Sequence, residues 1–537
     1  MFTKRILYFI FLSVLLFKKE KQGNKEKPIK TAVTPKIIKV GNSNDKTVNK
    51  AESSTDFHNF DVLFNFYNLK NKYPVEEFIK TKIVPYIEKT LYTLLSVRRN
   101  LNLGPFTKSG CEPEVDFDPA LLGKTIDKDA IIYVSITESS ENFVAYASAC
   151  ALSNLDNRPV IGFIKFNAKH VSSDISKFRE LFAVTMHEIL HILVLSPNLF
   201  EYYYTNKDKI TVVNSTNSKG ETVRVNKVQT PKLVSFGKSH YNCSTFDGLV
   251  LENDGGDGSM NAHFEKILAG NDILVAQING NLKLTGFILS LLEDSGWYKV
   301  NFDLEEPLFW GRGKGCEFVN NTCNTKFTEI CTKQGDLGCS PNNQFITYCN
   351  KDSFGNGCLL ASYFNNLSCV DLTSNHNTRS DFKEFIGPNS RCYQVDSGSS
   401  KSAICYKTEC VNKRVFFYYG TEKKECKTGD SIIINGVSIV CPDNESFCNK
   451  ISENCVNDCN GNGSCLVNKK CFCNFPYYGT QCESKFEALN GDYSEYFKNQ
   501  KWINSQTPIG NDSNSSSVKI NYLLMLLSVT LLLILNN

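Results

Sequence analysis

The 537-residue chain is 41% hydrophobic and 12% aromatic, which is enough apolar material for a large core and, by length, about three domains. Its 59 basic and 56 acidic residues leave a formal charge of +3, and with no basic stripe beyond a Lys-rich N-terminal stretch this argues against nucleic acid as a partner. Of 22 cysteines, only Cys111, Cys150 and Cys243 precede residue 316, and the remainder crowd between Cys316 and Cys482. That density points to disulfides formed in an oxidising compartment. Structural zinc sites are the alternative, but paired C-x-x-C spacings are missing.

In chain order, Lys4 and Arg5 precede an apolar run from Ile6 to Phe17, which predicts a signal peptide over residues 1–18. Residues 19–55 are rich in Lys, Asn, Ser and Thr without periodic apolar positions, and read as a disordered segment or a pro-segment. Folded patterning starts at Asp56. Val75 to Leu101 carries apolar residues at helical spacing and predicts one or two helices broken near Pro85. Ala130–Ile136 and Pro159–Phe166 read as buried strands, and Lys177–Leu195 as a helix stopped by Pro197. Leu282–Leu292 is a further apolar helix. Strands before the central helix and helices after it predict an α+β domain over residues 56–310.

The central helix contains Met186-His187-Glu188-Ile189-Leu190-His191. Residues i and i+4 share a helix face, so His187 and His191 can aim their ring nitrogens at one point. This is how a helix holds zinc, with Glu188 left free to take a proton from a water on the metal. Two solvated histidines are the bland alternative, but the almost entirely apolar flanks would bury this helix. A catalytic zinc site needs a third protein ligand, and the chain offers His58, His170, His240, His263 and His376. The short form H-E-x-x-H-x-x-G-x-x-H is absent, because position 194 is Val and position 197 is Pro.

Beyond Gly311 periodicity fades, and residues 311–450 read as a cysteine-rich region folded around disulfides more than around a core. Cys455, Cys459, Cys465, Cys471, Cys473 and Cys482 follow C-x3-C-x5-C-x5-C-x-C-x8-C, which resembles an EGF-like module over residues 451–484. That resemblance implies pairs 455–465, 459–471 and 473–482, a choice spacing alone cannot make. A spacer or adhesive role is the default for it, with surface ligands as partners of this part of the chain. Residues 485–517 read as a spacer ending in small polar residues. Residues 518–537 carry an apolar run from Tyr522 to Leu535, too short for a membrane span of about 20 residues. Small residues, a polar spacer and a terminal apolar tail read as a GPI-attachment signal, with a short tail anchor as the rival. Both place the chain on the cell surface.

Several stretches fall in a recognisable order: Ala145-Tyr146-Ala147-Ser148-Ala149-Cys150, Arg158-Pro159-Val160-Ile161-Gly162, the helix with His187-Glu188-Ile189-Leu190-His191, Phe246-Asp247-Gly248, Leu251-Glu252-Asn253-Asp254-Gly255-Gly256, Ala262-His263-Phe264-Glu265-Lys266, and Leu291-Leu292-Glu293-Asp294-Ser295-Gly296-Trp297-Tyr298. Over roughly residues 57–320 the chain resembles the leishmanolysin family of surface metalloproteases, a metzincin-type fold. The resemblance implies that His263 is the third zinc ligand after a long insertion, with His240 the next candidate. It implies one Zn2+ per chain, protein or peptide substrates and Glu188 as the general base. It also implies a Cys111–Cys150 pair, more readily than a propeptide thiolate acting on the metal.

Two positions depart from the family pattern. Val194 stands where a Gly ends the helix in a left-handed turn, and a β-branched residue there costs about 1–2 kcal/mol. Leu274 stands where a methionine lies in the turn beneath the metal, a swap of similar volume worth less than about 1.5 kcal/mol. The predicted function is zinc-dependent endopeptidase at the cell surface. The alternative is a catalytically lapsed, GPI-anchored adhesin or surface antigen on the same scaffold.

Overall fold

Ala130–Thr137 and Pro159–Asn167 are almost unbroken apolar runs because both faces of these strands are covered. Ile132, Val134, Ile164 and Phe166 enter the main core, while Ile131, Tyr133, Ile161 and Phe163 enter a smaller one with Cys111 and Cys150 on the other face. The computed structural model describes residues 38–40 and 57–498, except 99–102, 109, 278–280, 321–322, 364–366, 373–377, 397, 399 and 489–490. The predicted signal peptide, most of the predicted pro-segment and the C-terminal apolar segment lie outside the described residues. Within them no helix is long and apolar enough to cross a membrane.

The catalytic-region strands are β1 (Ile38–Val40), β2 (Phe57–Asn59), β3 (Val62–Asn65), β4 (Leu95–Arg98), β5 (Ala130–Thr137), β6 (Ala145–Ser153) and β7 (Pro159–Asn167). The main sheet has the order β1-β6-β7-β5-β3, with β6 antiparallel to β7 and the other pairs parallel. Pro85 does not break the predicted helix. Helix α1 (Pro74–Phe78) runs through a π-helical turn at Ile79–Ile83 into α2 (Val84–Leu94). In that turn Val84 N–H reaches back to Ile79 O, so the ladder has already shifted register where proline lacks its donor. The helical prediction fails for Leu95–Arg98, which pair with β2 and with β11 (Tyr298–Val300). Tertiary pairing outweighs helical spacing there.

Helix α3 (Phe178–Leu193) carries the histidine pair and crosses the sheet. Every residue from Leu181 to Leu195 is buried, as expected of a helix apolar on all sides. A Cβ at Gly162 on β7 would lie 2.5 Å from the Ile192 side chain, so glycine there lets the helix settle onto the sheet. The chain then forms the hairpin β8 (Ile210–Thr216) and β9 (Thr222–Val228), helix α4 (Pro231–Tyr241), β10 (Leu249–Val250), short α5 (Lys266–Ala269) and α6 (Gly286–Asp294). The predicted helix at 282–292 starts four residues later, with Thr285 as its N-cap.

All 22 cysteines pair in eleven disulfides, so structural zinc–thiolate sites are absent among them. Cys111–Cys150 and the pairs 455–465, 459–471 and 473–482 are those the resemblances implied. The cysteine-rich region departs from expectation in having a core of its own. A six-stranded antiparallel sheet within residues 390–440 packs Tyr393, Tyr406, Val415, Phe417, Ile439 and Phe447 together. Its outer strands keep polar or partly exposed residues on the face away from this core, which hides the pattern, while the two central strands also bury Cys392, Ala403 and Cys405 in a second cluster with Ile346, Leu367 and Cys369.

Part of the predicted spacer is folded as well. Ser484–Lys485 pair with Tyr477–Tyr478, and Tyr496 and Phe497 from the short helix Ser494–Lys498 pack on Phe475. This last disulfide unit docks on the catalytic region. Phe475 lies 4.9 Å from Phe178 between ring centroids, Phe472 meets Tyr86 and Phe182, and Tyr86 Oη–H donates to Cys473 O. The first two turns of the histidine helix therefore rest on a module that the cysteine spacing alone suggests to be a spacer. Phe475→Ala is expected to cost about 3–5 kcal/mol in denaturant unfolding. A double-mutant cycle with Phe178→Ala should give a coupling of about 0.5–1.5 kcal/mol, and zero coupling contradicts the docking.

Candidate metal centre

His187 and His191 lie one turn apart on α3, and His263 arrives from the loop between β10 and α5. A short ladder holds that loop: Glu252 N–H donates to His263 O at 2.8 Å, and Phe264 N–H donates to Leu274 O at 2.9 Å. The Nε2 atoms stand 2.9 Å apart for His187–His191 and 3.2 Å apart for each pair with His263. All three rings are buried. His240, the next candidate, is elsewhere; its Nε2–H donates to Trp310 O at 2.8 Å and its ring stacks on Phe236. His58 pairs with Asp129, and His376 lies outside the described residues.

Each imidazole has its other nitrogen on a backbone carbonyl. His187 Nδ1–H donates to Ile273 O at 2.5 Å, His191 Nδ1–H to Leu195 O at 2.8 Å and His263 Nδ1–H to Ser259 O at 3.0 Å. A carbonyl oxygen only accepts, so each Nδ1 carries the proton and each neutral ring presents an Nε2 lone pair inward. Three lone pairs at this separation repel one another, and a cation between them turns that repulsion into ligation. Three nitrogens at about 2.0–2.1 Å from a tetrahedral ion are about 3.3 Å apart, close to the spacing found. Burial and the neighbouring imidazoles hold the His187 and His263 pKa values well below the usual range, and burial brings His191 to about 4. The donor set therefore fits zinc.

Glu188 is wholly buried on the same helix, and neither carboxylate oxygen has a hydrogen-bond partner among the described residues. Burial without a compensating charge raises its pKa well above the usual carboxylate value. Buried polar groups are as a rule hydrogen-bonded, so this carboxylate calls for a partner from outside the protein.

The two departures from the family pattern are accommodated locally. Val194 adopts φ −152° and ψ −54°, so the chain leaves the helix without the left-handed residue that glycine would supply. Val194 and Leu195 N–H both donate to Leu190 O, while the Tyr203 and Tyr298 hydroxyls donate to Val194 O and Leu193 O. Leu274 is completely buried in the turn that gives Ile273 O to His187. Gly270 opens this turn at φ +63°, where a Cβ would lie 2.2 Å from the Trp310 ring. Ile273, Leu195 and Ser259 are site residues invisible in sequence, because any residue supplies a carbonyl. Cys455, Cys459 and Cys471 also cluster, but all three are in disulfides.

Two imidazoles one helical turn apart, a buried carboxylate between them in sequence and a third imidazole from a distant loop are the donor set of the zinc metallopeptidases. The sequence model of the leishmanolysin family matches residues 91–358. A leishmanolysin homolog of Crithidia fasciculata is 32% identical over 195 residues, covering 36% of this chain and 28% of its own. A leishmanolysin-like peptidase of Drosophila melanogaster is 28% identical over 230 residues, 36% of this chain and 34% of its own. The ciliated left-right organizer metallopeptidase of Mus musculus is 26% identical over 353 residues, 58% and 50% of the two chains. The chain belongs to the leishmanolysin family of zinc metallopeptidases, and spans about a third to a half of the length of the first of the curated relatives it matches.

Because the folded imidazoles are held neutral far below pH 6.5, protons should compete with zinc weakly. Zinc affinity is expected to fall with decreasing pH between 6.5 and 5 by no more than about one proton per ion, the one leaving Glu188. Competition titration against a chelator of known pH dependence reads the slope. A slope approaching three protons contradicts the low proton affinity of the folded imidazoles.

Proposed function

We propose that this chain is a zinc-dependent endopeptidase at the cell surface, cleaving peptide bonds in protein substrates. The observation that carries the reading is the convergence of three Nε2 atoms, two of them from the helix that also carries the buried Glu188, whose carboxylate has no hydrogen-bond partner among the described residues. Zinc held by His187, His191 and His263 supplies Lewis acidity toward a water and the scissile carbonyl. The protein's part is to keep the three nitrogens unprotonated and aimed, which the Ile273, Leu195 and Ser259 carbonyls do. Glu188 takes the proton from the attacking water and returns it to the leaving amine. Its raised proton affinity suits both halves of that transfer.

The helix exit at Val194 that needs no left-handed residue, and Leu274 buried in the turn that gives Ile273 O to His187, support an active enzyme over the lapsed adhesin. The eleven disulfides support an exported protein, and the terminal apolar segment is the proposed GPI-attachment signal.

Glu188→Gln is expected to keep one zinc per chain and lower kcat on casein by about 10^2–10^4-fold. His263→Ala should lose the metal. Retention of most activity by Glu188→Gln overturns the assignment of the base. Wild-type protein that binds zinc yet leaves casein and gelatin intact favours the adhesin.

A further inference from the structure

The turn after α5 touches both halves of the metal centre. Ile273 O accepts from His187 Nδ1–H at 2.5 Å, and the next carbonyl, Leu274 O, accepts from Phe264 N–H, beside His263, at 2.9 Å. Two successive peptides, 273–274 through Ile273 O and 274–275 through Leu274 O, therefore meet the segments that carry two of the three imidazoles. One side chain holds the first of them. Asp272 is completely buried, and its Oδ1 accepts from Leu274 N–H at 2.8 Å, closing an Asx-type turn over Ile273. Its Oδ2 accepts from the hydroxyl of Thr285, the N-cap of α6, whose Oγ1 also accepts from Phe287 N–H at 3.2 Å. The carboxylate thus joins the turn to the start of a nine-residue helix whose first seven residues are buried. Backbone bonds complete the frame, from Ile273 N–H to Lys283 O at 2.7 Å and from Lys283 N–H to Asn271 O at 2.8 Å.

We propose that Asp272 is a positioning residue of the metal centre: its carboxylate, anchored on Thr285, holds the 273–274 peptide so that Ile273 O stays on His187 Nδ1–H and Leu274, next along the chain, keeps its carbonyl on the segment that carries His263. The inference rests on the zinc reading above. It locates the support of the turn in hydrogen bonds, where volume alone does not distinguish Leu274 from methionine. In its ionised form the carboxyl accepts from every one of these donors; burial raises its pKa to about 7, and the Thr285 hydroxyl with the Leu274 and Ile288 N–H groups acts against that rise. Alanine would leave the buried Leu274 N–H and Thr285 hydroxyl without their acceptor and free the peptide to rotate. Asparagine would keep an acceptor toward Leu274 N–H, and the Thr285 hydroxyl could reverse to accept from the amide.

The test uses the full chain, stripped of metal and titrated with zinc against a competing chelator, then with cobalt while its visible spectrum is followed. Asp272→Ala is expected to bind zinc about 10–100-fold more weakly and to shift and weaken the cobalt bands. Asp272→Asn should restore most of the affinity and the wild-type spectrum. Thr285→Ala, which removes the anchor together with the cap on Phe287 N–H, should fall between them and serves where Asp272→Ala does not fold, and Thr285→Ser, which keeps both bonds, should behave as wild type. Wild-type affinity and spectrum in both Asp272→Ala and Thr285→Ala overturn the role of Asp272 and leave the zinc site standing. Wild-type protein that takes up neither zinc nor cobalt overturns the zinc site and this inference together.

Discussion

Ile273, Leu195 and Ser259 each offer a backbone carbonyl to the Nδ1 of a buried imidazole, and the chemistry of the centre follows from those three hydrogen bonds. They fix the tautomer, so the Nε2 lone pairs turn toward one another at 2.9–3.2 Å, a placement that is unfavourable except around a cation. The carbonyls come from three separate places: the turn before α6, the residue two beyond the end of α3, and the loop feeding His263. The centre is therefore tertiary, and it has no counterpart in an isolated helix.

Much of the remaining architecture holds these three carbonyls in place. Helix α3 is sunk between the sheet and α2, with Gly162 removing the atoms that would hold it off. Its C-terminal carbonyls are met by tyrosine hydroxyls, which lets the chain leave the helix at Val194 without a left-handed residue. The loop bearing His263 is tied to the cysteine-rich region by the buried Lys266–Asp352 ion pair, and Cys243–Cys316 closes the insertion before it. At its other end, α3 rests on the aromatic face of the last disulfide unit. The docked units share one apolar cluster with the histidine helix, which is a reason to regard them as part of the folded catalytic unit.

The ease of reading each part from sequence tracks the range of the interaction that forms it. His187, Glu188 and His191 are legible because helical spacing places them, and the two long strands because unbroken apolar runs mark a doubly covered sheet. His263 is not reachable by spacing, since a hairpin and a helix intervene; family resemblance identifies it. Leu95–Arg98 misleads because its apolar residues continue the helical period while its partners lie in β2 and β11. Cysteine spacing in the last module announces its internal pairs but carries no information on which face docks elsewhere. Asp272 leaves no motif, since its role lies in two hydrogen bonds across thirteen residues.

X-ray absorption at the zinc edge of the purified, metal-loaded chain tests the central claim most directly. Three imidazole nitrogens and one oxygen at about 2.0–2.1 Å, with no sulfur, are the predicted shell. Sulfur scattering at about 2.3 Å, or fewer than three imidazoles, would contradict a centre built from His187, His191 and His263.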